Sequence, residues 1–377
     1  MSLQVGIVGL PNVGKSTLFN AVSAAGAEAA NYPFATIEPN VGVVPVPDQR
    51  LDTLARLADS RRVIPTSVEF RDIAGLVRGA SRGEGLGNQF LSHIREVDAI
   101  VHVVRCFVDD DVVHIEGSVD PARDIETVET ELLLADLATV EKRADRMVRA
   151  ARSGDRAAQQ AAELVQRLQR HLAEGSPART FGPAGGTDVE ERALAHELGL
   201  LTEKPVLYVA NVGEAEVAAL SAGSDAGPAG ANVEVVREIA AKQGAEVVVI
   251  SAEAEAQIAE LEPEERADFL AALGLGRSGL DMLVTAAYRM LGLITFFTAG
   301  PKESRAWTVR QGTTAPRAAR EIHSDIERGF IRAEVIDYAD YAALGSEQAV
   351  RDAGRLRVEG RDYVIRDGDV VHFRFNV

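Results

Sequence analysis

The sequence predicts an α/β fold in which a doubly wound parallel sheet carries an inserted helical arm and is followed by a small β-rich domain. Three observations lead to this prediction. An apolar pattern at residues 5–8 precedes the motif GLPNVGKST at residues 9–17, and a helical pattern follows it. Strand and helix patterns then alternate as far as residue 250, which is typical of parallel sheets with helices on both faces. Beyond residue 292 apolar residues recur at every second position, as in half-exposed strands.

The composition of the chain limits the classes of protein to consider. With 377 residues, 46% of them apolar, the chain is long enough for two or three globular domains. Its single cysteine, Cys106, excludes an internal disulfide and is typical of a buried thiol in a reducing compartment. There is no leader pattern and no apolar run of membrane-spanning length, so we expect a cytoplasmic protein without a membrane partner.

The charge of the chain is strongly acidic and unevenly distributed. A net charge of −17 argues against general affinity for nucleic acids, and we expect no DNA partner. Residues 292–377 carry 13 basic and 13 acidic side chains, so this segment is neutral while the rest is acidic. If the protein contacts RNA, this segment is the candidate, although its arginines are equally well explained as a solvated face balanced by local acids. The arginines concerned are Arg351, Arg355, Arg357 and Arg361.

The motif at residues 9–17 is a phosphate-binding loop in the strand–loop–helix setting that such loops require. Glycines at positions 9 and 14 allow backbone amides to surround phosphate oxygens, and the helix N-terminus adds its dipole. In this motif Lys15 is expected to bind the β- and γ-phosphates and Ser16 to hold Mg²⁺. The alternative is a glycine-rich turn that binds nothing, which leaves the flanking strand and helix unexplained.

Two further loops match the switch segments of P-loop GTPases. Thr36 lies in a proline-interrupted loop after Ser16, at the position of the threonine that coordinates Mg²⁺ in a first switch. The motif DIAG at residues 72–75 follows a predicted strand and is typical of a second switch. There Asp72 is expected to reach Mg²⁺ through water, and the amide of Gly75 to face the γ-phosphate.

Residues 125–175 predict an antiparallel helical hairpin. Apolar residues recur at three- and four-residue spacing on either side of a turn signal at residues 153–155. The charge density favours a coiled-coil arm that projects from the α/β domain, and an ordinary pair of bundle helices is the alternative. The apolar positions are Leu133, Leu137, Val140, Ala144, Met147 and Ala151 in the first helix and Ala161, Leu164, Val165, Leu168 and Leu172 in the second.

The segments after the arm complete the sheet and build the C-terminal domain. Residues 204–210 predict a buried strand, and residues 215–232, rich in alanine, glycine and serine, predict a flexible connection. A helix at 233–242 and a strand at 245–250 follow. The C-terminal pattern of strands at 308–310, 331–336, 361–365 and 370–375, with one helix at 316–326, predicts a β-grasp module.

The sequence NVGE at residues 211–214 stands where GTPases carry NKxD, the motif that reads guanine. Val212 replaces the lysine that packs on the base, and Glu214 is one methylene longer than the aspartate that binds guanine. The longer carboxylate does not fit the same position, and Asn211 with nearby backbone groups is then expected to hold the amine and ring nitrogen of adenine. Because unpaired buried polar groups are costly, this change favours ATP over GTP.

Leu76 follows the second switch, where Ras-like enzymes have the glutamine that orients water, so hydrolysis must use another group. Arg78 and Arg82 are candidates for stabilising charge. His114, in the acidic loop at residues 107–117, is a candidate for positioning water. On the residues alone, a solvated loop side chain is the better explanation of His114.

The chain resembles the YchF / Obg-like ATPase family over nearly its whole length. The matching motifs in the first part of the chain are GLPNVGKST at 9–17, PFATIEPN at 33–40, DIAGLV at 72–77, GEGLGNQF at 83–90 and NVGE at 211–214. The motifs that resemble the TGS domain of the family are FTAG at 297–300, RAW at 305–307, GFIR at 329–332, DY at 362–363 and DGDV at 367–370.

This resemblance implies three parts and an activity. The parts are an Obg-type nucleotide domain at residues 1–124 and 204–285, a helical arm at residues 125–203 and a ubiquitin-like TGS domain at residues 292–375. The activity is Mg²⁺-dependent hydrolysis of ATP in preference to GTP. The resemblance also implies association with the ribosome or its large subunit, with ribosomal RNA contacted through the TGS domain or the arm, in translation or stress response.

The resemblance also assigns individual residues. His114 falls on the acidic-loop histidine to which hydrolysis in the family is attributed, and Ser16 and Thr36 fall on the Mg²⁺ ligands. Asn12 resembles the asparagine with which related enzymes hold an activating K⁺, and Val212 is expected to line the adenine pocket. The predicted nucleotide-binding residues are Asn12, Val13, Gly14, Lys15, Ser16, Thr17, Asp72, Gly75, Asn211, Val212, Glu214, Ser251 and Ala252.

Two alternatives to a ribosome-associated ATPase stay open. The first is a translational GTPase of the same fold that tolerates Glu214. The second is a non-catalytic module in which a bound nucleotide stabilises a surface that docks on RNA or the ribosome.

Overall fold

The computed structural model describes residues 3–29, 40–74, 86–109, 111–152, 155–182 and 189–376. These residues form two compact units. The described residues of the first lie within 3–25, 40–42 and 69–283, and those of the second within 26–29, 43–68 and 284–376. No helix in these ranges combines the length and the apolar character needed to cross a membrane.

The secondary structure alternates between strands and helices over most of the chain. The strands are β1 (Gln4–Val8), β2 (Val41–Pro45), β3 (Val63–Ile64), β4 (Ser67–Asp72), β5 (Ala99–Arg105), β6 (Val206–Asn211), β7 (Glu246–Ile250), β8 (Leu293–Thr298), β9 (Ser304–Arg310), β10 (Phe330–Asp337), β11 (Arg357–Glu359) and β12 (Asp369–Phe375). The helices are α1 (Lys15–Ala29), α2 (Gln49–Leu57), α3 (Leu86–Glu96), α4 (Pro121–Ala151), α5 (Arg156–Ala173), α6 (Val189–Glu197), α7 (Glu214–Ser221), α8 (Gly227–Gln243), α9 (Ala252–Glu260), α10 (Pro263–Ala272), α11 (Gly279–Met290), α12 (Ala315–Ile322), α13 (Ser324–Arg328), α14 (Tyr338–Leu344) and α15 (Glu347–Asp352), with short 3-10 helices at Ala178–Thr180 and Leu201–Glu203.

The first sheet has the strand order β2-β4-β1-β5-β6-β7 and confirms the predicted parallel α/β architecture. β1 pairs in parallel with β4 and β5, β5 pairs in parallel with β6, and β6 with β7. Every residue of β5 and β6 is buried, because both strands lie inside the sheet. The parallel pairing brings the C-terminal ends of these strands to one edge, where ligands of doubly wound sheets bind.

The helical hairpin predicted from residues 125–175 is present. Its first helix, α4, begins earlier than predicted because Asp120 accepts a hydrogen bond from the backbone of Arg123 and Pro121 occupies the first turn. The two helices share one apolar core with α6. The buried residues of this core include Val140 and Ala144 from α4 and Val165, Leu168 and Leu172 from α5.

The second sheet has the strand order β11-β10-β12-β8-β9-β3. Antiparallel pairs join β10 to β11 and to β12 and join β8 to β9, whereas β12 pairs with β8 and β3 with β9 in parallel. Phe296 and Phe373 meet edge to face in its core, with ring centroids 6.0 Å apart, and Phe330 packs on Phe373. The C-terminal β-domain is therefore present, with β3 added at its edge.

Two details of the predicted β-grasp module were wrong. The predicted helix at residues 316–326 is divided into α12 and α13, because His323 has an extended backbone and its Nδ1 accepts the amide of Asp325 as a cap. Residues 361–365 form no strand and make only one isolated bridge, from Val364 to Thr314, while β11 lies nearer the N-terminus. Short β-patterns of this kind depend on pairing partners that the local sequence does not show.

The flexible connection predicted at residues 215–232 was also wrong, because this segment forms α7 and the start of α8. Alanine has the highest intrinsic helix propensity, so an alanine-rich segment is helical once it can pack. The glycines mark the breaks between helices instead. Gly223 ends α7 with a φ of 69°, and Pro228 lies in the first turn of α8.

Candidate functional site

The phosphate-binding loop joins the end of β1 to the start of α1, in the predicted position. Its backbone turns through positive φ at Asn12 (61°) and Gly14 (89°). A Cβ atom at Gly14 would lie 2.2 Å from Nδ2 of Asn211, so both the backbone conformation and the space require glycine there. A Cβ at Gly9 would lie 2.7 Å from the carbonyl oxygen of Val103 in β5. The loop is therefore packed tightly against the ends of its neighbouring strands.

The N-terminus of α1 presents amides to this loop that have no acceptor within the helix. The first intrahelical bond runs from the amide of Leu18 to the carbonyl of Gly14, at 2.9 Å. The amides of Lys15, Ser16 and Thr17 therefore have no helical acceptor, and the side chains of Ser16 and Thr17 are exposed. An anion placed here meets oriented N–H groups and the positive end of the helix dipole.

Asn211 holds three loops of the site together. Its side chain is buried, its Nδ2 donates to the carbonyl of Val13 at 2.9 Å, and its Oδ1 accepts the amide of Ala252 at 2.9 Å. Ser251 caps α9 by accepting the amide of Ala254 at 3.3 Å. Asn211 thus joins the end of β6 to the phosphate loop and to the loop after β7. Nδ2 and Oδ1 can each form a second hydrogen bond, so the contact between Asn211 and adenine stays a prediction.

Lys15 and Asp72, predicted to serve phosphate and Mg²⁺, contact each other. The ammonium of Lys15 donates to Oδ1 of Asp72, and their side chains are 11% and 22% exposed. The parallel register sets Asp72 opposite Ile7 at the end of β1, which explains why two residues far apart in the sequence meet here. The structure therefore brings together the cation predicted to bind the phosphates and the carboxylate predicted to serve the metal.

The base-reading sequence follows β6 as predicted. Val212 is 2% exposed, and its amide donates to the carbonyl of Ile250 at 2.9 Å. Gly213 precedes α7 as its N-cap, and Glu214 is the first residue of that helix, with a half-buried side chain. An acidic residue is favourable at this helix end because of the dipole, so Glu214 has a structural reason to be there besides any contact with a base.

His114 is buried, so its interpretation as a solvated loop side chain was wrong. Its Nε2 lies 2.9 Å from Oδ2 of Asp124, and its Nδ1 accepts the amide of Glu116 at 3.1 Å. The side chains of His114 and Asp124 are 4% and 3% exposed. Since Nδ1 is an acceptor, the ring is protonated at Nε2 and donates to the carboxylate. In this arrangement both ring nitrogens are engaged, and activation of water by His114 requires the contact with Glu116 to open.

Arg105, which the sequence-based reasoning missed, determines the shape of the acidic loop. This arginine at the end of β5 is 1% exposed, and its guanidinium donates to the carbonyls of Phe107, Asp109 and Val112 at 3.3, 3.1 and 2.9 Å. Burial lowers its pKa from the usual value. Only one signal in the sequence indicated this role. Arg105 stands at the C-terminal end of a buried strand, at the edge of the sheet where the site lies.

The acidic loop also contacts the phosphate loop directly. Asn12 donates from Nδ2 to the carbonyl of Val113 at 3.0 Å. This contact lies between the carbonyl of Val112, held by Arg105, and the side chain of His114. The loop that carries the proposed catalytic histidine is therefore held at three successive residues, Val112, Val113 and His114.

Beside Arg105, burial raises the pKa of the Cys106 thiol to about 12, which agrees with the expectation of a buried thiol.

Several predicted site residues lie outside the described residues. They are Thr36 of the first switch and Gly75, Leu76, Arg78 and Arg82 of the second.

The residues present fit a magnesium ion bound together with phosphates. Within the described ranges, no group of three or more His, Cys, Asp or Glu side chains can hold a metal by itself. Mg²⁺ in nucleotide sites is instead held by few protein oxygens, by water and by phosphate oxygens. The exposed hydroxyl of Ser16 and the carboxylate of Asp72, in contact with the neighbouring Lys15, are such oxygens.

The fold and the site together define a P-loop nucleotide-binding protein of the GTPase class. The loop of residues 9–17 and the two hydrogen bonds of the Asn211 side chain lie at one edge of the parallel sheet, where its strands end. A family model described as a 50S ribosome-binding GTPase matches residues 4–143. A second model, YchF-GTPase_C, described as a protein of unknown function, matches residues 293–376.

Full-length relatives identify the family. The Ribosome-binding ATPase YchF of Bacillus subtilis is 54% identical over 377 residues, with 100% of both chains covered. The protein of the same name from Haemophilus influenzae is 52% identical, again with 100% of both chains covered. The solved structure of the Schizosaccharomyces pombe YchF GTPase is 35% identical, covers 99% of this chain and 98% of its own, and superposes with a TM-score of 0.87. This chain belongs to the YchF family.

Proposed function

We propose that this protein is a ribosome-associated ATPase that hydrolyses ATP to ADP and phosphate and acts as a nucleotide-dependent switch in translation or stress response. The observation that supports it most is a complete phosphate cradle combined with a base-reading loop that ends in Glu214 instead of aspartate. The family names support the ribosomal partner, since the bacterial relatives are named ribosome-binding ATPases. The proposed association with ribosomes supports a cytoplasmic location.

In this proposal Ser16, Thr36 and Asp72 serve Mg²⁺, with Asp72 acting through water. When bound, Mg²⁺ neutralises charge on the β- and γ-phosphates. Lys15 and the amides at the start of α1 hold the same phosphates. Asn12 is proposed as a ligand of an activating K⁺, for which its side-chain oxygen is suited. Val212 and the backbone at Ser251 and Ala252 line the base.

The proposed domain boundaries are those expected from the sequence. The nucleotide domain comprises residues 1–124 and 204–285, the arm residues 125–203 and the TGS domain residues 292–375.

The design of a truncated protein must take account of residues 43–68, because β3 and α2 of this segment pack with the second sheet. Leu51 and Leu54 of α2 share a buried cluster with Phe297 and Ile336. A fragment that ends at residue 285 exposes these side chains.

The function is tested by turnover and by co-sedimentation with purified ribosomes in ATP, ADP and no nucleotide. We expect Mg²⁺-dependent release of phosphate from ATP, faster with K⁺ than with Na⁺, and a pelleted fraction that differs between ATP and ADP. Turnover without any ribosome binding contradicts the switch. Ribosome binding that is independent of nucleotide, with no turnover in the presence of Mg²⁺ and K⁺, favours the non-catalytic module instead.

Replacing His114 by alanine should lower ATP turnover by about 100-fold, the lower end of the usual contribution of a positioned acid–base group. ATP affinity should change little, because the ring contacts Asp124 and Glu116 and not the phosphate loop. The measurements are single-turnover hydrolysis and equilibrium binding of ATP.

The matched control is His196→Ala, because that histidine is 86% exposed and pairs, among the described residues, with Glu203. Thermal unfolding of each variant is recorded as well, since the His114 variant leaves the buried carboxylate of Asp124 without this partner. A folded His114→Ala protein with parental turnover would remove the proposed catalytic role.

A further inference from the structure

We propose that a row of cations on the outer face of α4 binds the phosphate backbone of ribosomal RNA. The row consists of Lys142, Arg146 and Arg149, which are exposed. Their spacing of four and three residues places them on one helix face, on successive turns and about 10 Å from first to last. This inference rests on the proposed association with the ribosome and identifies the surface that makes it.

The row lies in a part of the arm that has a net positive charge. Residues 141–173, at the far end of the hairpin, contain eight Lys and Arg residues and four Asp and Glu residues, although the whole chain has a net charge of −17. This part of the arm therefore attracts phosphate, although it lies within residues 1–291, which are acidic as a whole. Further exposed cations in the segment are Arg152, Arg156 and Arg170.

The cations of the row make no close ion pair, although the exposed Asp145 lies three residues after Lys142 and four before Arg149 on the same helix. In the described residues none of the three has a carboxylate partner at salt-bridge distance, and Arg149 only donates from Nε to the carbonyl of Asp145, at 2.9 Å. The face they occupy is opposite the buried Val140 and Ala144, which pack against α5. The cations therefore point away from the hairpin and are free to meet a ligand.

The arginines that the sequence suggested in the C-terminal domain are different. Arg351 lies 3.0 Å from Glu347 and Arg355 lies 3.5 Å from Asp340. Arg357 lies 2.9 Å from Asp337 and also contacts two further carboxylates. Arg361 donates to the carbonyl of Phe330. Three of these four side chains are thus neutralised in place, so the arm is the better phosphate-binding surface.

The chemistry of the surface favours RNA over a protein partner. The core of a protein interface is formed by aromatic and aliphatic side chains. Among the described residues, none of the large exposed apolar side chains lies between 141 and 173. Contacts to a nucleic-acid backbone require only cations and polar groups, and they carry no sequence specificity. A row of this kind is therefore suited to the sugar–phosphate strand of a structured RNA.

The test is a variant in which Lys142, Arg146 and Arg149 are all replaced by glutamine, which preserves helix propensity and exposure. Binding to purified ribosomes is measured by co-sedimentation over a series of KCl concentrations. We expect the slope of log affinity against log salt to become shallower by about 2 to 3. Each lost phosphate contact reduces the magnitude of this slope by roughly 0.7 to 0.9, and the variant removes three cations. ATP turnover without ribosomes should equal that of the parent.

The control variant carries the same change in net charge in the C-terminal domain, at exposed arginines. It combines Arg310→Gln, Arg317→Gln and Arg320→Gln and should keep the parental slope. The inference is overturned if the arm variant keeps the parental slope of log affinity against log salt. It is also overturned if the slope of the control variant becomes shallower by the same amount as that of the arm variant. A parent that does not bind ribosomes at all refutes the proposed function instead, which separates the two failures.

Deproteinised ribosomal RNA serves as a second probe. We expect the arm variant to bind it more weakly than the parent and the control variant to bind it equally well. If the arm variant loses affinity for ribosomes but binds the bare RNA as the parent does, the arm contacts an acidic ribosomal protein and the RNA assignment is wrong.

Discussion

Replacing Lys15 by methionine is expected to reduce ATP turnover by about 100-fold or more, as does the loss of one preorganised charge-stabilising group in other enzymes. In the proposed site the ammonium of Lys15 is the cation that binds the β- and γ-phosphates. In the structure it contacts the carboxylate of Asp72. Without it, the phosphates lose this positive charge while the carboxylate of Asp72 remains, so affinity for ATP should fall as well. Single-turnover hydrolysis and equilibrium ATP binding measure the two effects.

Lys142→Met provides the matched control, because it makes the same chemical change at an exposed site on the arm. Its turnover without ribosomes should equal that of the parent. Thermal unfolding must show that the Lys15 variant is folded, since Lys15 is only 11% exposed and its loss removes this partner from the carboxylate of Asp72. A folded Lys15→Met protein that hydrolyses ATP at the parental rate would contradict the assignment of the site.

The second large effect concerns the purine base. We expect ATP to bind about 100-fold more tightly than GTP, because a site whose polar groups do not match guanine leaves them unpaired. Relatives are named both ATPase and GTPase, so the measurement decides a real question. Replacing Glu214 by aspartate restores the length of the guanine-reading carboxylate. This variant should raise GTP affinity and lower the preference for ATP, as measured by competition between the two nucleotides.

The structure permits this substitution, since Glu214 is the first residue of α7 and aspartate is equally favourable there. Glu238→Asp on α8 is the matched control, with an exposed side chain away from β6. It should leave both affinities unchanged. Tighter binding of GTP than ATP by the parent protein sinks the adenine assignment, whatever the variants do.

Much of the fold could be predicted because its signals are local. The phosphate loop, the strand that precedes it and the helix that follows occupy one continuous stretch, residues 4–29. The period of apolar residues identified the hairpin of α4 and α5, since one face of each helix had to be buried. A prediction from composition was wrong for residues 215–232. Their alanine, glycine and serine content suggested a flexible segment, but they form α7 and the start of α8.

By itself, the sequence determined that this protein has a phosphate cradle, a parallel sheet behind it and an altered base-reading loop, because each of these is encoded in consecutive residues. Only the tertiary structure decided which side chains complete the site. Asn211 reaches the carbonyl of Val13 across 198 positions, and Lys15 reaches Asp72 across 57. The burial of His114 against Asp124 and the pairing of Arg357 with Asp337, 20 positions away, belong to the same class. Such contacts depend on which strands lie next to each other, and no local pattern carries that information.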